Sequence, residues 1–324
     1  MIEPFIGSEA LASGSVTRHQ LRTKFTAIHQ DVYVPVDSVL TPAVRAKAGW
    51  LRSRRRGVVA GFSASALHGA KWISATRPAE IFDSNRRPSS QLVVRSGQVA
   101  ADEIWQRDGI KLTSPARTAL DLLCWNPVDA AIAATDALAR ATRLKLADVH
   151  SLIERYAGRR QIRRAREALK LVDPGSESPR ETWLRLLLVR AGFPTPETQI
   201  VVRNEYGVVI AVVDMGWDQL RLGLEYEGDH HRTNRRQFNR DIHRYEELRE
   251  MGWLIIRVTV EDVAGSLIPR VGAEFARRQY RHGGKGSRSP PWRYGRRDLA
   301  QKTQKLRSRA KARLRSTGSD ITDS

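Results

Sequence analysis

Between residues 178 and 263 the apolar period changes in an order that few folds accommodate. A helical pattern from Pro179 to Ala191 gives way to three strand-like segments, TQIVV, VVIAVVDMGW and LRLGLEYEG. A long polar helix follows from Arg236 to Met251, and then the apolar strand WLIIRVT. The order is α-β-β-β-α-β. SPRE opens the segment as a capping box, with Ser178 at the N-cap, Pro179 at the first helical position and Glu181 three residues in.

Acidic residues fall at telling places in that order. Asp214 ends one strand, and Glu225 and Glu227 lie on the next, where a two-residue period points them to one face. A hairpin around MGWDQLR brings Asp214 near Glu225. Two converging carboxylates at a sheet edge suit a hard, oxygen-seeking cation such as Mg²⁺, which binds a phosphate oxygen and activates water. The competing reading is a solvated acidic strand face, with His230-His231 no more than a turn. On the chemical reading, His230 or His231 is a candidate general base near neutral pH. On the following helix Gln237, Asp241, Arg244 and Leu248 recur at steps that share a face. Arg244 stays protonated, so its candidate role is to hold a phosphate; the alternative is an intrahelical pair with Asp241.

The rest of the chain is organised differently. In the first seventy residues, IGSEALASGSVTRHQLRTKF gives two short helices, with Thr17 as N-cap of the second. IHQDVYVPV then alternates as a strand. Helix, turn, helix and wing predict a winged helix-turn-helix. Its recognition segment, Thr17 to Phe25, carries Arg18, His19, Arg22 and Lys24, unless those cations merely face solvent. Thr41 and Pro42 open a longer helix that ends in Arg52, Arg54, Arg55 and Arg56, where cations are favoured by the helix dipole. SASALHG is a short helix stopped by Gly69. Residues 72–112 are β-rich, with SNRRPSS as an exposed loop, and residues 113–170 are helical. A basic helix and a linker rich in Asp, Pro, Gly and Ser end near residue 177. The expected domains are residues 1–70, 71–176 and 177–272. A basic tail, expected to be disordered, covers residues 281–324.

Charge bears on the partner. The 324 residues carry a formal charge of +20, and residues 281–324 hold thirteen Lys or Arg against three Asp, half of that excess. Such a surplus favours a polyanion, nucleic acid before anionic membrane. Cys124 is the sole cysteine, which excludes an intramolecular disulfide and a thiolate zinc site. The N-terminus lacks a signal-peptide pattern, and the longest apolar run, Val208 to Val213, is too short to cross a bilayer. The expected location is the cytoplasm, with nucleoid association as a variant, and no membrane partner is expected.

The stretches SESPRETWLRLLLVRAGFPTPETQ, VVDMGW, LGLEYEGDHHR, QFNRDIHRYEELREMGW and IIRVTVEDV occur in an order that resembles a family of domains related to very-short-patch-repair endonucleases. That family lies within the PD-(D/E)xK, or restriction-endonuclease-like, superfamily. The resemblance implies an α/β (mixed α+β) nuclease core with a mixed sheet, in which Asp214 and Glu225 hold Mg²⁺ and Glu181 on the first helix assists. Glu227 departs from it, standing where the superfamily often has Lys: either it is a further metal ligand, or the catalytic cation sits elsewhere. Asp241 and Arg244 match the polar positions of the family's D-x-x-R helix. LASGSVTRHQL, HQDVYVP, SASALHG and LTSPARTALDLL resemble an abortive-infection (AbiEi-type) antitoxin family, which pairs a winged helix with an α/β domain. That likeness implies DNA contacts through Arg18, Arg22 and Lys24.

Two functions follow as expectations. One is a Mg²⁺-dependent DNA endonuclease or nickase. The other is a non-catalytic DNA-binding regulator, antitoxin-like, with a degenerate nuclease fold, for which the missing Lys speaks. RNA is a weaker candidate polyanion.

Overall fold

The computed structural model describes residues 3–85, 91–228 and 235–282, the side chains of 235–241 and 281–282 excepted. His230, His231, the side chains of Gln237 and Asp241, most of the SNRRPSS loop and the tail beyond residue 282 lie outside the described residues. The chain is mixed α/β, with eleven α-helices and three sheets among the described residues. It divides into two compact units, residues 1–186 and 187–324. The division falls inside the helix that SPRE opens rather than in the linker before it.

The first unit begins with β1 (Phe5–Ile6), α1 (Gly7–Ala12), α2 (Arg18–Thr23), β2 (Phe25–His29) and β3 (Val32–Pro35). The strands form a sheet in the order β1-β3-β2. Thr17 caps α2 through a reciprocal box: its Oγ1 accepts Gln20 N–H, and Gln20 Oε1 accepts Thr17 N–H. Next come α3 (Pro42–Arg52), β4 (Val58–Val59) and α4 (Gly61–Leu67), then β5 (Ala79–Phe82), β6 (Leu92–Arg95), β7 (Ile104–Arg107) and β8 (Ile110–Thr113). β4 to β8 build a five-stranded sheet in the order β6-β5-β4-β8-β7. One buried cluster joins Ile6 and Val32 to Ala46, Leu51, Ile81 and Leu112, so packing runs without a break across residue 70.

The basic end of α3 is bound by more than the helix dipole. Arg54 and Arg55 have left-handed backbones, with φ of 55° and 62°. Arg54 donates to Asp31 at 2.6 Å and Arg55 grips both oxygens of Glu9. Two arginines with backbones in the region that favours glycine are thus held by specific partners, and that part of the charge is used inside the protein.

Helices α5 (Pro115–Trp125), α6 (Val128–Thr142), α7 (Leu146–Arg155) and α8 (Ile162–Leu169) form a second core around Leu120, Leu123, Ile132, Ile153 and Ala165. Ions are buried beside it. Arg185 donates to Asp136 at 2.8 Å, with the side chains only 2% and 1% exposed. Thr182 Oγ1 and Asp173 N–H donate to the same carboxylate. Burial raises the Asp136 carboxyl to about 6, still below neutrality, so the pair is charged at pH 7.

α9 (Pro179–Arg190) leads into the second unit: β9 (Glu197–Arg203), β10 (Val209–Trp217), β11 (Leu222–Tyr226), α10 (Arg235–Glu250), β12 (Leu254–Val258) and α11 (Ala264–His282). The sheet order is β12-β11-β10-β9; β9, β10 and β11 are antiparallel, and β11 and β12 are parallel. A two-residue hairpin cannot join parallel strands, so α10 is the crossover. Leu248 of α10 packs with Ile200, Val202, Ala211, Val213 and Trp253. Phe193, Trp217 and Phe275 of α11 form an aromatic triad with ring centroids 4.8–5.8 Å apart. The spacing of Leu267, Val271 and Phe275, all buried, is the sequence signal that marks α11 as helical.

Candidate functional site

Asp214 and Glu225 come together because the β10–β11 hairpin is tight. MGW belongs to β10, and the chain turns only over Asp218–Leu220, a short helical turn. Gly216 pairs with Gly223 across the ladder. A Cβ on Gly216 would sit 2.2 Å from the Leu222 carbonyl oxygen, so the strands approach there only without a side chain. The Met215–Leu224 pair follows, and one further step along the ladder lie Asp214 and Glu225. Asp214 Oδ2 accepts the Tyr226 N–H at 2.8 Å, which fixes its carboxylate at that end of β11.

Glu225 is 7% exposed. Its Oε2 accepts Arg244 Nη2 at 2.9 Å and the Tyr245 hydroxyl at 2.5 Å, both from α10. Its Oε1 is buried with no hydrogen-bond partner among the described residues. A buried carboxylate oxygen left bare is costly. Burial, with Glu225 accepting its proton, holds the Tyr245 phenol above its ordinary range, so it stays a donor.

Glu227 lies just past the end of β11, its N–H donating to Val258 O at 2.8 Å. Its carboxylate pairs with Arg257 of β12, whose guanidinium also lies 5.4 Å from the Tyr245 ring centroid. On the parallel ladder Arg257 stands opposite Glu225. Arg244 and Arg257 thus place two guanidinium groups around Glu225 and Glu227. Arg244 reaches the sheet, while its intrahelical pairing with Asp241 involves a side chain outside the described residues.

Glu181 belongs to the first unit and is used there. Its Oε2 accepts Glu177 N–H and its Oε1 accepts the Ser178 hydroxyl, each at 2.8 Å, while Ser178 Oγ accepts Glu181 N–H. Burial raises its carboxyl above the usual range against those two bonds. Both oxygens are taken up by the cap. Among the described residues no three His, Cys, Asp or Glu side chains gather as a metal-holding group.

On α2, Arg18 and Arg22 are exposed, as is Lys24 at its C-terminal end, and His19 lies beside them. The side chains of Arg18, Arg22 and Lys24 make no hydrogen bond or ion pair among the described residues, unlike Arg54 and Arg55. No described helix is long and apolar enough to cross a membrane.

Fold and site together define a mixed α/β protein of two units, the second centred on a buried carboxylate held by arginine and tyrosine. The chain belongs to the family of the uncharacterized protein MT2308 of Mycobacterium tuberculosis (strain CDC 1551 / Oshkosh). It is 31% identical to that protein over 194 residues, which are 59% of this chain and 70% of the relative. The uncharacterized protein Rv2248 of strain ATCC 25618 / H37Rv matches with the same identity and coverage. No family model matches the chain, and no solved structure is significantly similar to it.

Proposed function

We propose that the chain binds DNA and that its second unit hydrolyses or nicks a phosphodiester backbone with the help of Mg²⁺. The observation that carries this is the meeting of Asp214 and Glu225 at one end of adjacent strands, with Glu225 Oε1 buried and unpartnered among the described residues. That oxygen and the Asp214 carboxylate are a hard donor set. Mg²⁺ keeps several waters and commonly takes one or two protein carboxylates, so two suffice. Asp214 and Glu225 would hold the ion, which when bound polarises a phosphate oxygen and lowers the pKa of a water. Arg244 orients Glu225 and stands beside the place where phosphate charge would lie, so its guanidinium would supply there a cation that Glu227 does not. Glu227, tied to Arg257, serves as a brace rather than a ligand, and Glu181 serves its helix. The +20 charge and the cations Arg18, Arg22 and Lys24, unpaired among the described residues, support a DNA partner, with affinity that falls as salt rises.

A second reading is a DNA-binding regulator without catalysis, antitoxin-like, and one observation favours it: guanidinium groups already neutralise both Glu225 and Glu227. Supercoiled plasmid separates the two. Cutting that needs Mg²⁺, stops with chelator and drops at least about a hundredfold in Asp214→Ala supports the nuclease. Cutting that is absent, or indifferent to Asp214→Ala, removes it. Metal-independent, sequence-selective footprints that survive Asp214→Ala support the regulator.

A further inference from the structure

The first unit contains a cavity of about 330 Å³ whose lining is dominated by arginine: Arg95, Arg159, Arg160 and Arg164, together with Trp125 and Gln161. We propose that it is a binding pocket for the phosphoryl group of a small, nucleotide-sized phosphorylated molecule. The proposal does not rest on the phosphodiesterase reading.

Four guanidinium groups around one cavity repel one another, and the fold spends specific contacts on keeping them there. The Arg95 guanidinium lies 4.1 Å from the Trp125 ring centroid and that of Arg159 lies 5.5 Å from it. Arg164 is anchored to the carbonyl oxygens of Cys124 and Asn126, at 2.8 and 3.0 Å, so neutral groups hold it in place. Arg95 pairs with Glu80 at 2.7 Å and Arg159 with Asp121 at 2.7 Å. Those are the carboxylates bonded to the four arginines among the described residues, and Asp121 is shared with Arg117. Arg160 is exposed and makes no side-chain hydrogen bond or ion pair there. Arg159 Nη1 and Arg164 Nε are buried without a hydrogen-bond partner. The cavity therefore carries more positive charge than the carboxylates bonded to it offset.

The backbone adds to this. Gln161, at the N-cap of α8, has φ of 67° and no side-chain cap, so α8 begins at the cavity. Its leading N–H groups and dipole favour an anion. Guanidinium forks match phosphate oxygens in geometry as well as charge. The volume sits at the lower end of small-molecule sites, which suits a nucleotide-sized ligand rather than a duplex.

Titration calorimetry of the full chain at fixed ionic strength tests this with three probes: inorganic pyrophosphate, a nucleoside monophosphate and a 5′-phosphorylated oligonucleotide. The expected result is saturable one-to-one binding of pyrophosphate or the mononucleotide. Arg160→Gln, at an exposed position, should weaken it about tenfold and Arg160→Glu more. Lys111→Gln, at an exposed position of β8, should leave it unchanged, which separates the pocket from general surface charge. Absence of saturable binding, or equal losses in the Lys111 and Arg160 variants, overturns the proposal. Saturable binding of the oligonucleotide alone also overturns it, assigning the pocket to a strand end.

Discussion

Arg244 and Tyr245, neighbours on α10, both donate to one oxygen of Glu225, at 2.9 and 2.5 Å, and leave its other oxygen without a partner among the described residues. Consecutive helical residues point about 100° apart, so this convergence needs the carboxylate to sit directly beneath that turn. The arrangement fixes Glu225 by one oxygen while keeping the second for something else.

Tyr245→Phe removes one charge-assisted bond without altering volume greatly. It should lower stability by about 2 kcal/mol. Urea unfolding followed by a probe in the second unit measures the shift. An unchanged midpoint would show that the hydroxyl adds nothing to the hold on Glu225.

The cations of α2 should matter to affinity and not to folding. Replacing Arg18, Arg22 and Lys24 together by Ala should reduce the slope of log K against log salt for duplex DNA by about two to three. Thermal unfolding should be nearly unaffected, since these exposed side chains make no hydrogen bond or ion pair among the described residues. An unaltered salt slope would place the DNA contacts elsewhere.

Arg185 and Asp136 make a buried pair whose halves depend on each other. Arg185→Met leaves a buried, hydrogen-bonded carboxylate without its cation, at a cost of about 3–5 kcal/mol. Adding Asp136→Leu should recover part of that loss, since it also leaves the Thr182 hydroxyl and the Asp173 N–H without their acceptor. A double-mutant cycle by urea denaturation checks the coupling; strict additivity would contradict it.

His29 should give the first unit a pH dependence. Burial, with Arg52 and Arg45 nearby, lowers its pKa from 6.5 to about 4. Between those values the unfolded chain binds a proton that the folded chain refuses. Its contribution is therefore complete above pH 6.5 and lost, by up to about 3 kcal/mol, as pH falls towards 4. Asp136, raised to about 6, has the opposite slope, gaining stability as pH falls. The difference between wild type and His29→Leu across pH 4–7 isolates the histidine.

Local chemistry made part of this structure readable. Thr41-Pro42 and Ser178-Pro179 state where helices begin, and α3 and α9 begin there. The strand order alone placed Asp214 beside Glu225, because a hairpin fixes its own neighbours. Partners across long separations were not readable in this way. Arg257 meets Glu227 through a parallel ladder whose register depends on the whole crossover. The arginines of the cavity come from β6, from the segment leading into α8 and from α8 itself; sequence shows the last two only as a basic stretch. Arg54 and Arg55 look like a solvated helix end until Asp31 and Glu9 are seen against them.

Leu248 is fully buried in the sheet core, three residues after Tyr245 and four after Arg244. α10 therefore carries two duties on one rigid body. A substitution that let Leu248 settle differently would rotate the donors away from Glu225 at the same moment. Mutational drift in this core is thus coupled to the alignment of the acidic centre, and variants that repack the helix would lose that alignment before they lose the fold.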